Sequence, residues 1–356
     1  MGVWRDCSWR TGLGTCFYNR VGEARLLGEL VGAGGVVVVY GPRGVGKSEL
    51  ARYTLSRLEA AVVHIDARRR GSPIASVLGG GDALRELAER LAEVVLGGGA
   101  RGLAALLEQL YLEASRVIRG RLVVLVDEPH LLLGGRDAAL VELETAAGLV
   151  AKGVVDATLV VTISEGLLVA ADAVERLQGY VSALFLLEHL GEGDFRGLFE
   201  EYTASRGCRL SLSAVLRLAG GAPGALPVLC RGAAQAKWWL SSLLLGVERA
   251  VGEARRLPGA PGDAISVVAE ACRLLGGRVV SPAEDPWLDE LGRLLVVHNA
   301  AYPVYPGVVS PSSSASRGVV YRPAYPVVRD ALCLAAEEGL GSVMAVLDAI
   351  LEHLGL

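Results

Sequence analysis

Val36-Val-Val-Val-Tyr40 runs directly into Gly41-Pro-Arg-Gly-Val-Gly-Lys47-Ser48, and this stretch decides the fold. Four β-branched residues and a tyrosine without polar alternation read as a strand buried on both faces, as in a parallel sheet. The glycines after it let consecutive backbone N–H groups turn toward one point. A helix predicted from Lys47 to Glu59 aims its positive end at the same point. The pattern is GxxxxGK[ST]: Gly41, Pro42, Arg43, Gly44, Val45 and Gly46 form a phosphate cradle. Lys47 is then placed to reach the β- and γ-phosphates and Ser48 to ligate Mg²⁺. The chain holds only three lysines, at 47, 152 and 237, beside 32 arginines. A compact ammonium at this position therefore argues for a built site over a chance match.

Outward from this loop the strands recur. Ala61–Ile65 is a second apolar run, closed by Asp66, and Leu122–Val126 ends in Asp127-Glu128. Asp127 is expected to hold the Mg²⁺ shell, directly or through water, and Glu128 to polarise an attacking water. A second carboxylate favours hydrolysis over nucleotide storage. Thr158–Ile163 and 183–187 complete the set. The first ends in hydroxyls, of which Ser164 is the candidate beside the γ-phosphate, with Thr162 or a plain strand end as alternatives. Helices are predicted at 21–32, 82–96, 102–119 and 136–151. This alternation predicts an α/β domain over residues 1–190, a three-layer parallel sheet of the P-loop NTPase kind.

Beyond residue 190 the pattern turns helical, with helices predicted at 194–206, 211–219, 223–235 and 238–255, a helical lid over 191–257. Leu257-Pro-Gly-Ala-Pro-Gly-Asp263 reads as a linker. A third unit, 258–356, is predicted as helix (263–275), short strand (278–281), helix (286–293), strand (294–298), a long Pro/Ser loop, strand (318–322) and helix (326–338). That is the outline of a winged helix.

These motifs together resemble the archaeal ATPases of the STAND/AAA+ P-loop group, over about residues 17–235 and more loosely the tail. Phe17-Tyr-Asn19-Arg20-Val-Gly-Glu23 is similar to that family's opening Phe-x-Gly-Arg-x-x-Glu box, with Asn19 in place of glycine. Residues 41–48 are similar to the family's phosphate loop, with Gly44 for its second arginine, and Asp66, the Asp127-Glu128 strand end and Gly220-Gly221-Ala222-Pro223 resemble further family positions. The resemblance implies ATP or ADP with Mg²⁺ as cofactors, and makes Asn19, Arg20 and Pro223 adenine-side residues. The family's Gly-Arg before the last sheet strand is Gly179-Tyr180 here. The positive group for the transition state then falls to Arg176 or Arg43, although Arg176 reads first as a solvated helix charge.

Composition narrows the function. The chain has 356 residues, 52% hydrophobic, and a net charge of −4, which excludes a globally basic nucleic-acid coat. Residues 261–356 carry six arginines against eleven acids, so the tail is a poor stand-alone DNA reader; phosphate neutralisation needs surface cations. Arg317 and Arg322, on the expected wing, are its clear phosphate contacts. The longest run without charge, Leu294–Ser316, contains three prolines and reads as a loop, not a membrane span. No signal-peptide core follows the N-terminus, and a soluble cytoplasmic chain is expected. The six cysteines lack metal spacing and read as buried free thiols, with disulfides the alternative. Arg68-Arg69-Arg70 reads as a solvated loop cluster, His130 as a structural histidine, and Trp238-Trp239 as packing core or an interdomain contact. The expectation is a slow Mg²⁺-dependent ATPase acting as a regulatory or signalling switch, contacting an unidentified protein. The alternative is an initiator-like ATPase whose winged helix binds duplex DNA.

Overall fold

The computed structural model describes residues 4–66, 74–79, 82, 86, 102–117, 120–131, 136–163, 176–177, 179–310 and 318–356. Its centre is a six-stranded sheet of β3 (Val36–Tyr40), β4 (Ala61–Asp66), β5 (Ile74–Gly79), β6 (Leu122–Asp127), β7 (Ala157–Thr162) and β8 (Ala183–Leu186), in the order β5-β4-β6-β7-β3-β8. Five strands are parallel. The edge strand β5, which hydropathy did not reveal, runs antiparallel to β4. One face of the sheet packs on α1 (Val21–Ala33) and α2 (Lys47–Leu55) through Val37, Val39, Leu125 and Val160 against Leu27, Val31 and Leu50. The other face, Val36, Val38, Val124 and Val161, packs on α3 (Leu103–Val117) and α4 (Arg136–Ala151). All four residues Val36–Val39 are fully buried. Each is worth about 1.5–3 kcal/mol relative to exposure, enough to make the strands, not the loops, the rigid frame of the site. The three-layer α/β expectation holds.

A hairpin precedes the sheet: β1 (Arg5–Arg10) pairs antiparallel with β2 (Cys16–Tyr18). After the sheet come α5 (Glu192–Arg206), α6 (Leu212–Ala219), a 3₁₀ turn (Pro223–Ala225) running into α7 (Leu226–Leu229), and α8 (Ala233–Ala254). The helix expected at 223–235 instead ends at Leu229. The break falls at Gly232, whose φ of 125° suits only glycine, and α8 begins directly after it.

The C-terminal part comprises α9 (Ala264–Leu275), β9 (Val279–Val280), α10 (Pro286–Val297), β10 (Ala301–Val304), β11 (Val319–Pro323), α11 (Pro326–Glu337) and α12 (Leu347–Leu354). Its antiparallel sheet has the order β10-β11-β9. Residues 294–298 were expected to be a strand, yet 294–297 are the last turn of α10. Leu288, Leu291 and Leu295 recur at helical spacing and are buried, so period overrides the β-branched look of Val296-Val297. The strand is β10, hidden within the Pro-rich stretch. It lies at a sheet edge, where Pro303 is tolerated.

The free-thiol reading is corrected. All six cysteines are paired: Cys7–Cys16, Cys208–Cys230 and Cys272–Cys333. The partners lie up to 61 residues apart, and only the tertiary fold brings them together. Trp239 packs edge-on to Tyr325 and against the core that lid and C-terminal residues share, whereas Trp238 is 66% exposed and is no part of a core. Among the described residues no single helix is long and apolar enough to cross a membrane. The expected helix at 82–96 is described only at residues 82 and 86, and Arg68-Arg69-Arg70, Ser164 and Arg317 lie outside the described residues.

Candidate functional site

The parallel register builds the site. Asp66 pairs with Asp127 and Asp127 with Thr162, so the polar ends of three adjacent strands form one row at the sheet's carboxyl edge, with Val39 of β3 level with Thr162 beside them. Ligands of open α/β sheets bind at this edge. The loop from Gly41 to Gly46 rises beside the row. Gly41 has φ 144° and a Cβ there would sit 2.0 Å from the Leu187 carbonyl oxygen, so only glycine lets β3 pass β8 this closely. Gly46 caps α2 in the left-handed region, and a Cβ on it would meet nothing within 4 Å. The backbone amides that open α2 therefore face an open cradle with no capping side chain over them.

Lys47 is buried, and its Nζ donates to the carbonyls of Gly41 (2.8 Å) and Pro42 (3.1 Å), which curls the ammonium back over the loop. Ser48 Oγ donates to Asp127 Oδ1 at 2.8 Å, and Thr162 Oγ1 donates to the same oxygen. Asp127 is 1% exposed. A hydroxyl and a carboxylate held together are the hard oxygen donors that suit Mg²⁺. Glu128 leaves β6 at φ 55°, with its N–H donating to the Thr162 carbonyl (2.9 Å), and lines the same pocket. His130, set aside as structural, lines it too, with Nδ1 3.4 Å from Glu128 Oε2. The sequence signal for it was its position two residues beyond Glu128. His64 and Asp66 at the end of β4 complete that side.

The pocket has a volume of about 570 Å³ and draws Arg43, Gly44, Lys47 and Ser48 together with Pro223 and Gly224 of the lid and Asn299 of the C-terminal part. The lid touches the loop directly, for Gly224 N–H donates to the Gly44 carbonyl at 2.8 Å. From the N-cap of α11, Tyr325 Oη donates to the Arg43 carbonyl at 3.1 Å. Val45 instead turns into the core beneath α1.

Arg20 lies elsewhere. It is buried, bonded to Glu23, to the Val45 carbonyl and to the Glu188 carbonyl (2.7 Å), and it lines a separate cavity of about 370 Å³ with His189 and Tyr302. Burial lowers its pKa, against the pull of Glu23. Asn19, at φ 28°, donates its N–H to the Trp4 carbonyl and lines neither cavity. Arg176 is paired with Glu144 of α4 and does not line the pocket.

The family model described as an ATPase domain predominantly from Archaea matches residues 17–229. Among solved structures, the Walker-type ATPase PABY2304 of Pyrococcus abyssi is similar over 88% of this chain and 95% of that chain. Its identity is 16% and the TM-score 0.50, a likeness of fold. ORC1 of Aeropyrum pernix, solved in complex with DNA, aligns over 90% of this chain and 92% of its own at 17% identity, with a TM-score of 0.41. ORC2 of the same organism, in its ADP form, aligns over 94% of each chain at 14% identity and a TM-score of 0.40. No curated protein matches the sequence.

Proposed function

This chain belongs to the family of archaeal ATPase domains, and from that premise we propose that it is a slow, Mg²⁺-dependent ATPase whose nucleotide state governs how its lid and C-terminal part are held. The observation that carries the reading is the double grip on the phosphate loop. Gly44 accepts a hydrogen bond from the lid and Arg43 one from α11. A change in the loop on binding or losing a γ-phosphate is thereby passed to both appended parts without an intermediary.

The roles follow from the geometry. Lys47 and the amides opening α2 supply positive charge for the phosphates. Ser48 and Asp127 would hold Mg²⁺, which supplies charge neutralisation on the phosphate oxygens. Glu128 accepts a hydrogen bond from the attacking water and so orients it, with His130 Nδ1 3.4 Å from that carboxylate. Arg43, which lines the pocket as Arg52 and Lys47 also do, is assigned to the charge developing in the transition state. Ser164 is assigned to the γ-phosphate side from the sequence alone, and Asn19, Arg20 and Pro223 to the adenine side from the family resemblance. Of these, Pro223 lines the pocket.

The DNA-reading alternative gains nothing from the geometry. Arg322, one of two cations expected on the wing, is paired with Glu188 at the end of β8. Residues on the wing also bond to the main sheet, with Val309 N–H donating to the Leu184 carbonyl and Leu186 N–H to the Val309 carbonyl. A protein partner, moved with the lid and tail, fits the acidic C-terminal part better.

Lys47→Ala and Glu128→Gln test the reading. Lys47→Ala is expected to weaken ATP binding at least tenfold. Glu128→Gln should keep binding while losing 10²-fold or more in phosphate release, the usual scale for a lost general base. ATP binding that is indifferent to Lys47 would sink the proposal.

A further inference from the structure

Strand β1 and the hairpin tip precede the stretch that the family model matches, which starts at residue 17 within β2, yet the tip stands in the wall of the phosphate pocket through Gly12 and Leu13. Its shape is over-determined. The Cys7–Cys16 disulfide closes its strands, and Thr11 N–H donates to the Thr15 carbonyl while Gly14 N–H donates to that of Thr11, both at 2.9 Å.

Two carboxylates then pin this stapled unit to the two bodies that flank the pocket. On α2, Glu49 accepts from Gly12 N–H (3.0 Å) and from Trp9 Nε1 (3.3 Å). On the lid helix α5, Glu201 accepts from Arg10 (2.8 Å), from Cys16 N–H (3.0 Å) and from Tyr18 Oη (2.8 Å). Between the pins Leu13 packs on the lid core. The hairpin therefore spans from the phosphate-loop helix to the lid across the mouth between them.

We infer that this disulfide-stapled hairpin is a strap that retains nucleotide, with Leu13 as the residue that closes the pocket wall. The inference rests on the nucleotide reading of the pocket. A cross-linked tip needs little further ordering when a ligand is enclosed, so more of the contact energy goes into holding it. A slow exit is the expected consequence, since affinity changes within one site fall mainly on the dissociation rate.

The test uses the full chain and a fluorescent N-methylanthraniloyl-ADP, released by an excess of unlabelled ADP in a stopped-flow instrument. Leu13→Ala and the double variant Cys7→Ser/Cys16→Ser are each expected to release it five- to tenfold faster than the wild type. Leu13→Ala leaves the staple and both carboxylate pins intact, so it decides the matter should the cysteine variant not fold. Rates within twofold of wild type in the folded variants overturn the strap alone, provided wild-type binding is lost in Lys47→Ala. A wild-type chain that takes up no labelled nucleotide overturns the nucleotide reading and the strap with it.

Discussion

Glu128 holds a left-handed backbone conformation at φ 55°, which costs a residue with a Cβ about 1–2 kcal/mol. That cost persists because the Glu128 N–H still reaches the Thr162 carbonyl, and the turn it makes points the carboxylate into the pocket instead of along β6. Strain of this kind collects at functional positions. His189 is a second residue whose environment has a measurable consequence. Burial holds its imidazole pKa down to about 4, from an ordinary value near 6.5. The native chain therefore keeps it neutral while the unfolded chain takes up a proton as pH falls from 6.5 toward 4. Stability is complete above that window and falls by up to about 3 kcal/mol across it. Urea titrations at pH 7 and pH 4.5 should show the loss, and His189→Asn should remove much of the difference. Equal slopes in wild type and variant would show that another group carries the pH dependence. At this scale the sequence was informative wherever one motif sets a residue's task, as for Lys47, Ser48 and Asp127. It was silent on Asn299, because nothing local marks a residue as facing a pocket assembled from three distant segments, and it marked His130 only by its nearness to Glu128.

Among the elements, the strands around the phosphate loop were legible because burial on both faces leaves an unbroken apolar run. The hairpin was not. β2 is three residues long, too short for a hydrophobic period, and it is held by a disulfide, by carboxylates of other elements and by packing of Phe17 on Tyr53. β10 was masked by Pro303, which an edge strand tolerates, and the end of α10 by two valines that packing placed in a helix. The cysteines show the same limit: α9 and α11 are joined by Cys272–Cys333, separated by 61 residues. In the chain-entropy picture a cross-link over that length is worth about 4 kcal/mol. Cys272→Ala/Cys333→Ala should lower the free energy of unfolding by about that much in guanidinium titrations. An unchanged midpoint would mean that the packing of α9 on α11 holds these helices without the bridge.

Taken whole, the molecule has one body built on the parallel sheet and a second in which lid and C-terminal residues share a continuous core. Phe195, Leu218, Leu229 and Leu240 pack in the same cluster as Leu274, Leu291 and Val328. The second body grips the first at the phosphate loop and again at β8, where Glu188 accepts from Tyr302 Oη (3.2 Å) and pairs with Arg322. On the proposed reading, a change in the loop reaches the lid through Gly224 and the C-terminal part through Tyr325. Amide hydrogen exchange on the Glu128→Gln variant, with and without Mg²⁺-ATP, tests it most directly. Protection should change in residues 41–48 and, together with them, in 220–226 and 323–328. A change confined to 41–48 would contradict it.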